Sequence, residues 1–129
     1  MMNLNQVTLP VLNVKQAIEF YTKLGLELIV QSIPEYARFV CPDNGSTLSV
    51  HRVDTLPQGD GIWVYFELEN LDEYVGKIQS QGIKLDEMPT DKPWLWREAR
   101  LKDLDGNQLI FYTAGGNRIN PPWRVGNTK

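Results

Sequence analysis

Residues 13–28 read NVKQAIEFYTKLGLEL, and their pattern returns at 70–85 as NLDEYVGKIQSQGIKL. In the first copy Asn13 suits a helix N-cap, with Gln16 three residues on as in a capping box. Val14, Ala17, Ile18, Tyr21 and Leu24 then make one apolar helical face. Gly25 suits the left-handed residue that ends a helix. In the second copy Asn70 and Glu73 take the cap positions, Leu71, Tyr74, Val75 and Ile78 form the stripe, and Gly82 is the stop. Asn70 follows Asn13 by 57 residues, and Gly82 follows Gly25 by the same 57. Cap, stripe and stop agreeing at one offset mark an internal duplication.

Working outward, β-prone runs flank each helix. In the first half they fall at 6–11, 25–32, 36–41 and 46–53; in the second at 62–68, 83–87, 97–102 and 108–113. "DGN" at 105–107 is a hairpin signal between the last two. Each half is therefore βαβββ. The expected class is α+β, with paired βαβββ modules. Residues 1–129 form a single domain: module 1 at about 5–57, module 2 at about 61–114, and an irregular Gly/Asn/Pro-rich tail at 115–129.

The strands alternate. Val64 and Phe66 interleave with Trp63, Tyr65 and Glu67; Leu109 and Phe111 with Ile110 and Tyr112; Leu48 and Val50 with Ser49 and His51. Ala99 and Leu101 interleave with Glu98 and Arg100 in the same way. One sheet face is aliphatic and carries the helices, and the other is aromatic and polar. That second face either meets water or a partner subunit, or lines a pocket.

Composition bounds the function. The chain has 129 residues, 42% hydrophobic and 22% charged, which is ordinary for one globular domain. A net charge of −3 argues against nucleic acid as partner. No apolar run is long enough for a membrane span. Cys41 is the only cysteine, and the first residues lack a secretory pattern, so a cytoplasmic location is expected.

The paired modules, "LPVLNVKQAIEFYTKLGLEL" near the start and "REARLKDLDGNQLIFYTAG" near the end resemble the vicinal oxygen chelate superfamily of glyoxalases, bleomycin resistance proteins and extradiol dioxygenases. The resemblance covers residues of about 5–116. It implies a glyoxalase-like fold, with the paired βαβββ modules forming a half-open curved sheet of eight strands around a cleft, and a homodimer. In metal-using members it places ligands on the first and last strand of each module, here Gln6, Ser49, Trp63 and Ile110. Trp63 and Ile110 cannot ligate a metal, and Ser49 is a poor ligand. With one histidine per chain, a symmetric dimer supplies each site with at most one imidazole. A shifted site from His51, Gln6, Glu67 and Glu98 is the alternative arrangement. No metal and no other cofactor are expected.

"TLSVHRVD", "IWVYFELENLDEY" and "WREARLKDLDGN" look closest to the bleomycin resistance branch, which is metal-free and sequesters its drug at the dimer seam. The expected function is thus metal-free binding of an aromatic or cationic small molecule in a dimer cleft. The alternative is a metal-dependent lyase or dioxygenase of the same superfamily with a non-standard site, and a third reading is a structural or regulatory dimer. Candidate ligand-binding residues are Trp63, Tyr65 and Tyr112 for stacking, and Glu67, Glu98 and Arg100 for charge. Trp94 and Trp96 of "PWLW" would form a lid or wall, and His51 would be a polar pocket residue. Each has a plainer reading: the aromatics as core or seam, the charges as a cross-strand ion pair, one tryptophan as a loop anchor. "NPPWR" at 120–124 is a stiff tail element that the bleomycin resistance pattern does not predict.

Overall fold

The computed structural model describes residues 1–43 and 45–126. The first module runs β1 (Gln6–Val11), α1 (Val14–Leu24), β2 (Glu27–Ser32), β3 (Tyr36–Val40) and β4 (Thr47–Arg52). The second runs β5 (Trp63–Glu67), α2 (Leu71–Ser80), β6 (Glu87–Asp91), β7 (Arg97–Lys102) and β8 (Gln108–Thr113). A short 3-10 turn, Gly115–Arg118, opens the tail. Each module builds one four-stranded sheet, in the orders β1-β4-β3-β2 and β5-β8-β7-β6. First and last strands of a module pair in parallel, and the other pairs are antiparallel. This is the glyoxalase-like α+β arrangement that the resemblance implies.

The duplication reaches the helix ends. In α1 the Asn13 side chain accepts from the Gln16 amide at 2.9 Å. The helix closes with Leu26 N donating to Tyr21 O and Gly25 N to Thr22 O. In α2 the same closure recurs as Ile83 N to Ile78 O and Gly82 N to Gln79 O. Gly25 and Gly82 both have positive φ, at 106° and 88°, which a side chain would strain. The N-termini differ. Asn70 has φ −104° and ψ 66° and makes no side-chain cap bond, so the expected second capping box does not form. Asp72 and Glu73 in the first turn still complement the helix dipole.

The strand expected at 83–87 lies later, at Glu87–Asp91. Ile83 is buried just past the helix stop, and Asp86 N already bonds Arg100 O, so pairing starts there. The ladder is irregular between Glu87 and Thr90, around Pro89. β6 is an edge strand, where a residue without an N–H is tolerated.

Two compact units emerge. The first is Met1–Gly61 with Asp103–Asn107; the second is Ile62–Lys102 together with the chain from Gln108. In the first, Leu9, Val11, Ala17, Tyr21, Phe39, Leu48 and Val50 are almost fully buried. In the second, Val75, Ile78, Ala99, Leu101, Leu109 and Phe111 fill the helix side. Phe111 stacks on Phe66 at 4.9 Å and meets Tyr74 at 5.0 Å, which seats α2 on the sheet. Each buried aromatic contributes on the order of 2–3 kcal/mol.

The turn between β7 and β8 belongs to the first unit because side chains fasten it there. Asp103 is buried. Its Oδ1 accepts from the Asp105 and Asn107 amides, both at 2.9 Å. Its Oδ2 accepts from Tyr21 OH at 2.6 Å and Asn107 Nδ2 at 2.7 Å. Asn107 also reaches Pro10 O at 3.1 Å, and Asp105 receives the Leu12 amide at 3.0 Å. Gly106 supplies the positive φ of the turn. Burial, with Asp103 beside it, pushes the Tyr21 phenol far above the tyrosine range, so it stays a donor. Tyr21→Phe removes a charge-assisted bond from a buried carboxylate. It should lower stability by about 1.5–3 kcal/mol in urea unfolding, against under about 1 kcal/mol for removal of a solvent-facing tyrosine hydroxyl.

Candidate functional site

The face of each sheet away from its helix carries the candidate residues. On the first sheet, Thr8, Ser49 and Arg38 stand across from one another on β1, β4 and β3, and Tyr36 stands opposite His51. Ser49 is fully buried. It receives Gln6 Nε2 at 2.9 Å and lies 2.6 Å from Tyr36 OH. Thr47 Oγ1 donates to Gln6 Oε1 and so orients that amide. Arg38 Nε donates to Tyr36 OH at 2.9 Å, with the guanidinium 5.5 Å from the ring centre. The Ser49 hydrogen bond, followed by that from Arg38, holds the Tyr36 phenol below the usual tyrosine range. His51 is exposed at the edge of this set.

On the second sheet the residues are aromatic. Trp96 stacks on Tyr112 at 4.4 Å and 15°, and Tyr65 meets both edge-on at 6.0 and 5.7 Å. Tyr112, Ile110 and Ala114 form a buried cluster against which Trp96 packs. Trp96 Nε1 donates to Asn117 O at 3.4 Å. Burial raises the Tyr112 phenol, with Glu67 adding to the effect. Trp63, Tyr65 and Trp94 remain 46%, 42% and 41% exposed, far more than core aromatics. Arg100 lies over the Trp63 ring at 4.8 Å.

The charges on this face are matched. Glu98 is only 1% exposed, yet Trp94 Nε1 donates to it at 2.7 Å and Arg100 Nη2 at 3.4 Å. Glu87 meets Lys92 at 2.6 Å and Arg100 at 3.7 Å, and Glu67 meets Arg118 at 3.3 Å. Arg100 Nε is buried without a hydrogen-bond acceptor. A buried carboxylate is costly unless neighbours donate to it, and Glu98 has two that do. Trp94 thus anchors its loop through Glu98.

The superfamily's metal positions do not fit a metal here. Ile110 is buried in the apolar cluster, Trp63 presents its ring to Arg100, and Gln6 and Ser49 are hydrogen bonded to each other. Glu98 of the shifted arrangement is held by Trp94 and Arg100. Among the described residues, no three His, Cys, Asp or Glu side chains converge. Burial, then Asp43, raises the Cys41 thiol, which disfavours the thiolate.

Sequence reasoning missed Tyr36 and Arg38. Their signal was the alternation of β3, where buried Ala37 and Phe39 alternate with Tyr36, Arg38 and Val40. It also missed Glu87, Lys92 and Arg118, whose roles depend on the displaced β6 and on the tail. Trp123 of the stiff tail is 58% exposed and does not pack as an anchor within the chain.

Trp94→Phe removes the indole donor from buried Glu98. It should cost about 1–3 kcal/mol in denaturant unfolding, and adding Glu98→Gln should recover part of that loss. In an ultraviolet absorbance titration, Tyr36 should ionise before Tyr21, Tyr74 and Tyr112, whose phenols are raised. Tyr36→Phe should remove that early wave.

The described fold recurs in solved structures. A glyoxalase/bleomycin resistance protein/dioxygenase from Nocardioides aligns with a TM-score of 0.79 at 22% identity, covering 98% of this chain and 91% of its own. TioX from Micromonospora sp. ML1 aligns at 0.70 and 19% identity, covering 88% and 99%. A family enzyme from Burkholderia phytofirmans PsJN aligns at 0.73 and 16%, covering 88% and 99%. At these identities the likeness shows the fold alone. No curated protein matches the sequence at a significant level. The sequence model of one superfamily matches residues 3–111, most of the chain. The chain therefore belongs to the glyoxalase/bleomycin resistance protein/dioxygenase superfamily.

Proposed function

We propose that this protein is a metal-free small-molecule binder, as the bleomycin resistance branch is, and that it takes a planar aromatic ligand on the open face of its second sheet. One observation carries the reading. Trp63, Tyr65 and Trp94 stay exposed on the face where half-buried Trp96 stacks on buried Tyr112. Large aromatic rings left in water on one face favour a partner that stacks on them. The face's carboxylates already have cationic or indole partners, so an aromatic portion of the ligand is favoured over a purely cationic one. The unsuitability of Gln6, Ser49, Trp63 and Ile110 as donors supports binding over metal-dependent lyase or dioxygenase chemistry.

The binder is proposed to act as a homodimer. Exposed Ile119, Trp123 and Val125 in the tail give it apolar surface to cover. No helix among the described residues is long and apolar enough to cross a membrane. A single half-buried cysteine fits a reducing cytoplasm. A second reading, a structural or regulatory dimer without ligand, is favoured by Trp96, which fills part of this face over Tyr112.

Bleomycin, which carries a planar aromatic portion and a cationic tail, is the first probe. Titration should quench tryptophan fluorescence with a Kd near or below about 1 µM, and Trp63→Ala or Tyr65→Ala should weaken it about tenfold. Unchanged fluorescence with bleomycin and with smaller planar aromatics would favour the structural dimer. Sedimentation equilibrium should give twice the monomer mass.

A further inference from the structure

We propose that the open face of the first sheet binds a small carboxylate through Arg38 and Tyr36. The argument is a count of hydrogen-bond directions. Thr47 Oγ1 donates to Gln6 Oε1, so the Gln6 amide nitrogen turns to Ser49 and donates to its oxygen. Ser49 is fully buried and shares a hydrogen bond with the Tyr36 hydroxyl 2.6 Å away, in which either oxygen can donate. Arg38 Nε can only donate, and it also donates to the Tyr36 oxygen. Tyr36 thus accepts from Arg38, and with Ser49 as donor of the shared bond its own proton is left for a ligand on the open face. Its lowered phenol pKa agrees with this, since a more acidic hydroxyl is a stronger donor.

Arg38 adds the charge. Arg52, Arg97, Arg100 and Arg118 each pair with carboxylates, while Arg38 forms no ion pair among the described residues. The carboxylates of Glu35 and Asp54 are both engaged by Arg52. Arg38 is half-buried and held by Tyr36, so its two terminal nitrogens keep a fixed fork. Fork and phenol together present only protons and positive charge. The complementary group accepts only, is planar and is anionic, which describes a carboxylate. His51, exposed opposite Tyr36, borders the site.

This site differs in chemistry from the aromatic face and is separately readable. All four tryptophans lie outside the first unit, so the test follows Arg38 itself. The test is a heteronuclear NMR titration that follows the Arg38 Nε–H signal, with benzoate as probe and neutral benzamide as control. Benzoate should shift that signal saturably in the millimolar range, and benzamide should leave it in place. Arg38→Gln, with its amide spectrum otherwise retained, should weaken benzoate binding at least about tenfold when followed on neighbouring β3 and β4 amides. Tyr36→Phe should weaken it severalfold. The proposal is overturned if benzamide binds as well as benzoate, or if Arg38→Gln leaves the affinity unchanged. A bleomycin result, positive or negative, leaves this outcome untouched.

Discussion

A single buried carboxylate, Asp103, sets the geometry on which much of this fold rests. It accepts four hydrogen bonds, two from turn amides, one from Asn107 and one from Tyr21 on α1. A carboxylate so deep is stable only when its oxygens are saturated, and the turn wraps around it to achieve that. The consequence is topological. The turn that joins β7 to β8 folds with the first unit, against α1 and the end of β1.

The second constraint is the period of two. Once one face of each sheet is given to its helix, every other residue must stand on the open face. The duplicated modules use that freedom differently. The first presents hydroxyls, an amide and a guanidinium in one hydrogen-bonded chain, Gln6–Ser49–Tyr36–Arg38. The second presents stacked rings over Ile110 and Ala114, with an ion pair between buried Glu98 and half-buried Arg100. At positions where the superfamily's metal-using members would hold ligands, one module has polar groups that satisfy each other and the other has apolar ones.

Much of this was legible in the residues. The offset of 57 predicted both helices and their glycine stops, and β7 and β8 have the expected bounds. What escaped had local physical causes. β6 moved because Ile83 is drawn into the core and Pro89 is harmless on an edge strand. Asn70 has the residue type of a cap but a backbone that does not direct its side chain to the helix. The open faces were expected to meet water or a partner subunit or to line a pocket, and Ser49, Glu98, Ile110 and Tyr112 on them are buried within the chain itself. Alternation tells which side a residue takes, while its cover comes from residues such as Trp96 that lie outside the pattern. Arg38 was invisible for a further reason: an arginine's importance here comes from the carboxylate it lacks, which only coordinates reveal.

The central claim is that this superfamily member has exchanged metal ligation for hydrogen bonding and aromatic packing. Its most direct test is metal content by mass spectrometry, on protein purified without chelators and incubated with nickel, zinc, manganese and iron. The account predicts that every metal stays at a small fraction of one per chain. One metal bound near one per chain would contradict it, and would require a site that Gln6, Ser49, Trp63 and Ile110 do not make.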